Sequence, residues 1–154
     1  MNKQAIPVLI NLLAIARYDN SPEYPIQFMT RGELLHPEND LFMLRYTETH
    51  EDEETGETEE AQIELLLEKK RVTMMRTGDC SNTMVFVKGQ RFEGTYRTPY
   101  GNMDMAVFSG VVTCDAGERS GSVHLKYQLD IGGAYASTNE LHLEYNADMK
   151  EINA

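Results

Sequence analysis

The sequence has only two cysteines, far fewer basic than acidic residues and no long apolar run, and each shortage excludes something. Cys80 and Cys114 stand 34 positions apart with no second cysteine or histidine at ligand spacing. Neither a cysteine zinc site nor a redox C-x-x-C can be built from them, and two reduced thiols are expected. With 14 Lys and Arg against 25 Asp and Glu, the formal charge is −11. That balance repels phosphate backbones and anionic lipid surfaces, so neither nucleic acid nor a membrane is an expected partner. No stretch approaches transmembrane length. Nucleophile elbow, phosphate loop and H-E-x-x-H patterns are also missing, which leaves no advertised catalytic residue.

What is present is alternation. Period-two patterning runs from end to end, and no window of helical length sustains an i, i+3, i+4, i+7 stripe. Strands are predicted over 6–17, 24–35, 41–50, 61–68, 71–77, 83–88, 91–97, 102–114, 120–131 and 135–146. Short turns separate them, among them Asn20-Ser21-Pro22 and the segment from His36 to Asp40. No repeat or linker interrupts the pattern, so residues 1–154 read as a single domain. A meander of about eight to ten strands must hide its edges, and closing into a barrel does so most completely. The apolar run from Ala5 to Ala16 after Lys3 resembles a short secretory signal, but Pro7 and Asn11 interrupt it. It reads equally well as a strand covered on both faces.

Face parity sets some registers. Val123, Leu125, Tyr127 and Leu129 alternate with polar residues, as do Leu141, Leu143 and Tyr145. Odd positions therefore face inward in both strands, which calls for an odd loop, Gly132-Gly133-Ala134. That register sets Lys126 opposite Glu140 and His124 opposite His142 on the outer face. The preceding hairpin switches from even inward positions (Phe92, Gly94, Tyr96) to odd ones (Met103, Met105, Val107, Val111), which suits the turn at Thr98-Pro99-Tyr100-Gly101.

Several motifs appear in order: Phe28-x-Thr30-x-Gly32, Leu44-Arg45-Tyr46-Thr47-Glu48-Thr49, Val72-x-Met74-x-Arg76-x-Gly78, Met84-x-Phe86 and Tyr96-x-Thr98-Pro99-Tyr100-Gly101. In this combination the chain resembles the YwiB-like family of small, uncharacterised bacterial β-barrel proteins with a calycin-like (lipocalin-like) fold. The resemblance implies a single closed antiparallel up-and-down barrel and a cytoplasmic location, in which cleavage after Ala16 would delete the first strand. It brings no catalytic residues. The Gly-x-Trp signature of secreted lipocalins is missing, since the chain has no tryptophan, so a lipocalin's ligand is not implied.

Weighed together, these features point to a non-catalytic barrel whose lumen binds a small apolar or anionic ligand. The alternative is a side-chain-filled barrel that acts as a self-associating interaction or scaffold module, with a homodimer as its expected form. For the first reading the candidate lumen residues are Arg76, Arg45, Met74, Phe86, Tyr96, Met105 and Tyr127. A lumen guanidinium could orient a carboxylate or phosphate bidentately, or be neutralised by an internal Glu. No cofactor or metal is expected. His124 and His142 alone make an incomplete ligand set. The acidic segment from Thr47 to Glu60 lacks the alternating spacing of a calcium loop and reads as a self-repelling hairpin loop. It holds eight of the 25 acidic residues, and setting those aside leaves the rest of the chain at −3.

Overall fold

The computed structural model describes residues 5–18, 23–51 and 54–148; Lys3, the expected turn at Asn20-Ser21-Pro22 and the acidic pair Asp52 and Glu53 lie outside the described residues. Alternating sequence becomes strand throughout: β1 (Ile6–Arg17), β2 (Tyr24–Glu38), β3 (Leu41–Glu51), β4 (Thr58–Leu67), β5 (Val72–Thr77), β6 (Asn82–Phe86), β7 (Arg91–Thr98), β8 (Gly101–Ala116), β9 (Ser120–Ile131) and β10 (Ala134–Ala147). No helix among the described residues is long and apolar enough to cross a membrane. Strands β3 and β4 run well into the acidic segment, so much of what reads as a loop is paired hairpin, out to Glu51 opposite Thr58.

Each strand pairs antiparallel with a chain neighbour, and β1 also pairs with β10, giving the order β6-β5-β4-β3-β2-β1-β10-β9-β8-β7. The two outer strands, β6 and β7, are consecutive in the chain, and a few backbone bonds join them. Ser81, next to β6, and Arg97 of β7 exchange N–H···O bonds of 2.9 Å in both directions, and the Gly89 N–H, in the connection between the two strands, donates to the Ser109 carbonyl of β8 at 2.7 Å. The all-β antiparallel barrel is thus nearly closed, along a thin seam.

Inward-facing residues fill the lumen. Leu44, Ile63, Leu65, Phe86, Leu125 and Leu143 are each 0–1% exposed. A void large enough for water would leave its lining accessible, so the middle of the barrel is packed solid. Burial of each such side chain contributes about 1.5–3 kcal/mol.

Three local features depart from simple alternation. The turn between β9 and β10 is two residues, Gly132-Gly133, both at positive φ (63° and 81°), as a tight hairpin turn requires. The residue missing from the expected three-residue loop is supplied by a bulge between Tyr135 and Ser137, which restores Lys126 opposite Glu140 and His124 opposite His142. A second bulge between Ser109 and Val111 flips the parity of β8. Val112, Cys114 and Ala116 therefore pack against the core, and Val111, expected inside, belongs to the outer face. Third, β2 pairs with β3 only from Gly32 opposite Tyr46 to Glu38. Among the described residues, β2 before Gly32 pairs with β1 alone, and β3 after Tyr46 pairs with β4 alone. The two hairpins diverge from that point.

At the other end of the barrel Tyr145 lies flat over Gly121, its direct partner on β9. A Cβ on Gly121 would sit 2.5 Å from the ring. The fully buried ring places its hydroxyl to donate to the Gly117 carbonyl at 2.7 Å and accept from the Gly117 N–H at 2.9 Å, tying the β8–β9 loop to the core. Gly121→Ala is expected to displace the ring and destabilise the fold by about 1–3 kcal/mol. Tyr145→Phe, which leaves the Gly117 groups without this partner, should cost about 1–3 kcal/mol. Urea unfolding of the two variants against the parent checks both.

Candidate functional site

At the end of the barrel that carries the Gly132-Gly133 turn, the lumen stops being purely apolar. Val72, Met74 and Arg76 share the inward face of β5 because Met74 opposes Met84, and Val72 opposes Phe86, on β6. On β3 the even positions Phe42, Leu44 and Tyr46 are buried, which carries Glu48 to the same side. The strand offset then brings the two charges together, with Arg76 Nη1 2.7 Å from Glu48 Oε2 and the side chains 26% and 15% exposed. Arg76 therefore meets an internal carboxylate.

Tyrosines crowd this ion pair. Burial raises the Tyr46 hydroxyl far above its ordinary value and Glu48 adds to the effect, while the Arg76 charge opposes it. Burial likewise pushes Tyr127 up to about 12 against the same guanidinium. The Tyr96 phenol is raised by burial and by its hydrogen bond with Cys80. All three remain neutral donors at any physiological pH. Phe86 and Tyr127 pack at 4.8 Å between ring centroids, and Met74 and Met105 belong to the buried core. Beside Arg76 a mouth pocket of about 230 Å³ is lined by Glu59, Glu60, Ala61, Asp79, Cys80 and Tyr96.

Of the seven residues that the sequence places in the lumen, Arg76, Met74, Phe86, Tyr96, Met105 and Tyr127 face inward. Arg45 does not. The bulky apolar face of β3 is the even one, so Arg45 points outward, 3.6 Å from Glu33 across the strand pair. It lines an outer groove of about 760 Å³ with Arg31, Glu33 and Glu64. Parity alone could have excluded it, because Phe42, Leu44 and Tyr46 outrank Leu41 and Met43 in apolar bulk. Ser109 is inward as expected, fully buried, and its Oγ has no hydrogen-bond partner among the described residues. Both cysteines are free thiols, and burial pushes that of Cys114 up to about 11.

On the outer face the His124 and His142 rings stack at 4.1 Å. Glu140, two residues before His142, reaches both, its Oε1 3.0 Å from each Nε2. Sequence reasoning missed this third member because it assigned Glu140 to Lys126. The signal was the Glu140-x-His142 spacing, which puts both side chains on one face of a strand.

Arg76→Met is expected to strand Glu48 and lower stability by about 1–3 kcal/mol, the range for losing a partner of a partly buried charge. The double variant Arg76→Met/Glu48→Leu should recover most of that loss. Denaturant midpoints of the three proteins in a double-mutant cycle measure it.

The sequence matches the family model for a domain of unknown function (DUF1934) over residues 10–143. No curated protein matches the chain. Among solved structures, the ywiB protein from Bacillus subtilis superposes with a TM-score of 0.77 over 94% of both chains at 19% identity, a likeness that shows the fold. The motifs around Gly32, Tyr46, Arg76 and Tyr96, the ten-strand barrel they build and the match over nearly the whole chain agree, and the chain belongs to the DUF1934 family, with a YwiB-like barrel.

Proposed function

We propose that this protein is a non-catalytic, side-chain-filled barrel that associates with a second copy of itself through the unpaired edge of β2. The observation that carries this reading is the packed lumen. The residues that would form a ligand's apolar wall pack on one another, and the guanidinium that would hold an acidic ligand is held by Glu48. Pockets for small molecules usually enclose about 300–1,000 Å³. The mouth pocket beside Arg76 falls below that range and is rimmed by carboxylates that repel an anion.

The edge supports the choice of partner. From Tyr24 to Thr30 β2 carries no charged residue, and on the side away from β1 it is unpaired among the described residues. Ile26 and Met29 on this stretch are 59% and 65% exposed. Natural proteins guard such edges with charge. The matching released edge of β3 has that protection in Glu48 and Glu51, whereas β2 has only Pro25. Two identical edges satisfy each other antiparallel about a two-fold axis, so a second copy fits without any further surface. The chain's net charge of −11 makes two copies repel at low ionic strength.

Sedimentation velocity over a range of concentrations should show a dimer that strengthens as salt is added, because screening relieves that repulsion. Met29→Lys and Ile26→Lys should give monomers with an unchanged circular dichroism spectrum. A parent protein that stays monomeric throughout overturns the proposal. Native mass spectrometry of the same material tests the lumen reading: a co-purifying small molecule lost in Arg76→Met would favour the mouth pocket instead.

A further inference from the structure

On the outer face of the β9–β10 hairpin, with β1 between it and the β2 edge, the ligand atoms of His124, Glu140 and His142 all lie within 4.8 Å of one another. We propose that these three side chains form a site for one divalent transition-metal ion, with Zn²⁺ the best match, bound through two imidazole nitrogens and one carboxylate oxygen.

The donor set selects the metal. Ca²⁺ and Mg²⁺ take oxygen ligands almost entirely, whereas imidazole suits Zn²⁺, Ni²⁺ and Cu²⁺. Two histidines and one carboxylate with an open position is the composition of many zinc sites of the catalytic type. Ligand atoms around such an ion, each about 2.0–2.2 Å from it, stand a little over 3 Å apart. The two Nε2 to Oε1 separations are already 3.0 Å, so small side-chain rotations make room.

The backbone is held for this purpose. His124 and His142 are direct cross-strand partners, and β9 and β10 are each paired on their far sides as well, with β8 and β1. In the metal-free state the carboxylate turns both Nε2 atoms toward one point. Moving the ring proton to Nδ1 then presents each Nε2 lone pair to the ion.

The neighbours are compatible. Leu13 and Ile15 of β1 stand opposite His142 and Glu140, and Thr113 of β8 stands opposite His124. Lys126, directly across from Glu140, is the one cation among the direct partners of the three ligands. Glu144, two residues beyond His142, adds a further carboxylate to the same face. At least one coordination position remains open to water or to a donor from another molecule.

The test uses untagged, chelator-treated full chain titrated with Zn²⁺ by calorimetry and with Co²⁺ by visible absorption. One equivalent should bind. His124→Ala and His142→Ala should each weaken binding at least tenfold, and Glu140→Gln about tenfold, while His36→Ala leaves it unchanged. Because the three ligands are part-exposed, their variants should fold, and Zn²⁺ should raise the melting temperature of the parent but not of these variants. No binding by the parent overturns the proposal. So does equal binding by parent and His142→Ala, or an equal loss in His36→Ala, either of which places the ion elsewhere.

Discussion

A sheet that curls on itself must fill the space it encloses, and that demand governs most of this molecule. Ten short and medium strands supply one inward residue in two, and the large apolar ones meet in the middle of the lumen with no room for water. The charged groups on the inward face are thereby pushed to the ends, and among the described residues Ser109 keeps a small hydroxyl fully buried. Arg76 and Glu48 sit at one end, where each is part-exposed and neutralised by the other. Tyr145 sits at the opposite end, its ring filling the place of a missing Gly121 side chain and its hydroxyl serving the nearby loop. Both arrangements answer the same problem, the cost of burying a charge or a phenol hydroxyl without a partner.

With the lumen filled, both proposed sites lie on the surface. The strand edge released at Gly32 and the histidine pair on the β9–β10 hairpin lie outside the barrel. They exist because the sheet is locally imperfect or because two outward positions happen to be opposed. Gly32 itself explains why the hairpins part there. A Cβ at this position would lie 2.4 Å from the Arg45 carbonyl and 2.7 Å from the Ile10 Cδ1, so the strands touch closely at this point and separate beyond it.

Much of the fold was legible in the sequence, since alternation and turn residues report directly on a half-buried sheet. The inward faces of β5, β6, β7, β9 and β10 follow from which parity is apolar, and the pairing of His124 with His142 follows from register. Illegible features came from single residues that break the count. The bulge after Ser109 inserts one residue and reverses every later assignment on β8, and nothing in the run Ser109-Gly110-Val111-Val112 requires it. The bulge near Tyr135 compensated for a turn one residue shorter than expected, so a correct register rested on an incorrect loop. Arg45 was misplaced because its strand offers apolar residues on both faces. Glu48 was hidden among eight acids of one segment, and only the three-dimensional stagger of β3 against β5 distinguishes it from the rest.

The seam between β6 and β7 differs from the β2 edge in a way that bears on how the molecule behaves in a crowded solution. Seam strands are joined by the short connection 87–90. If their few backbone bonds break, the two edges stay tethered at a high effective concentration, and rejoining outpaces capture by a neighbouring molecule. The stretch Tyr24–Thr30 of β2 has no second partner on its outer side among the described residues, because β3 has already turned away with β4. One opening in the barrel wall is therefore self-healing, and the other waits for a collision.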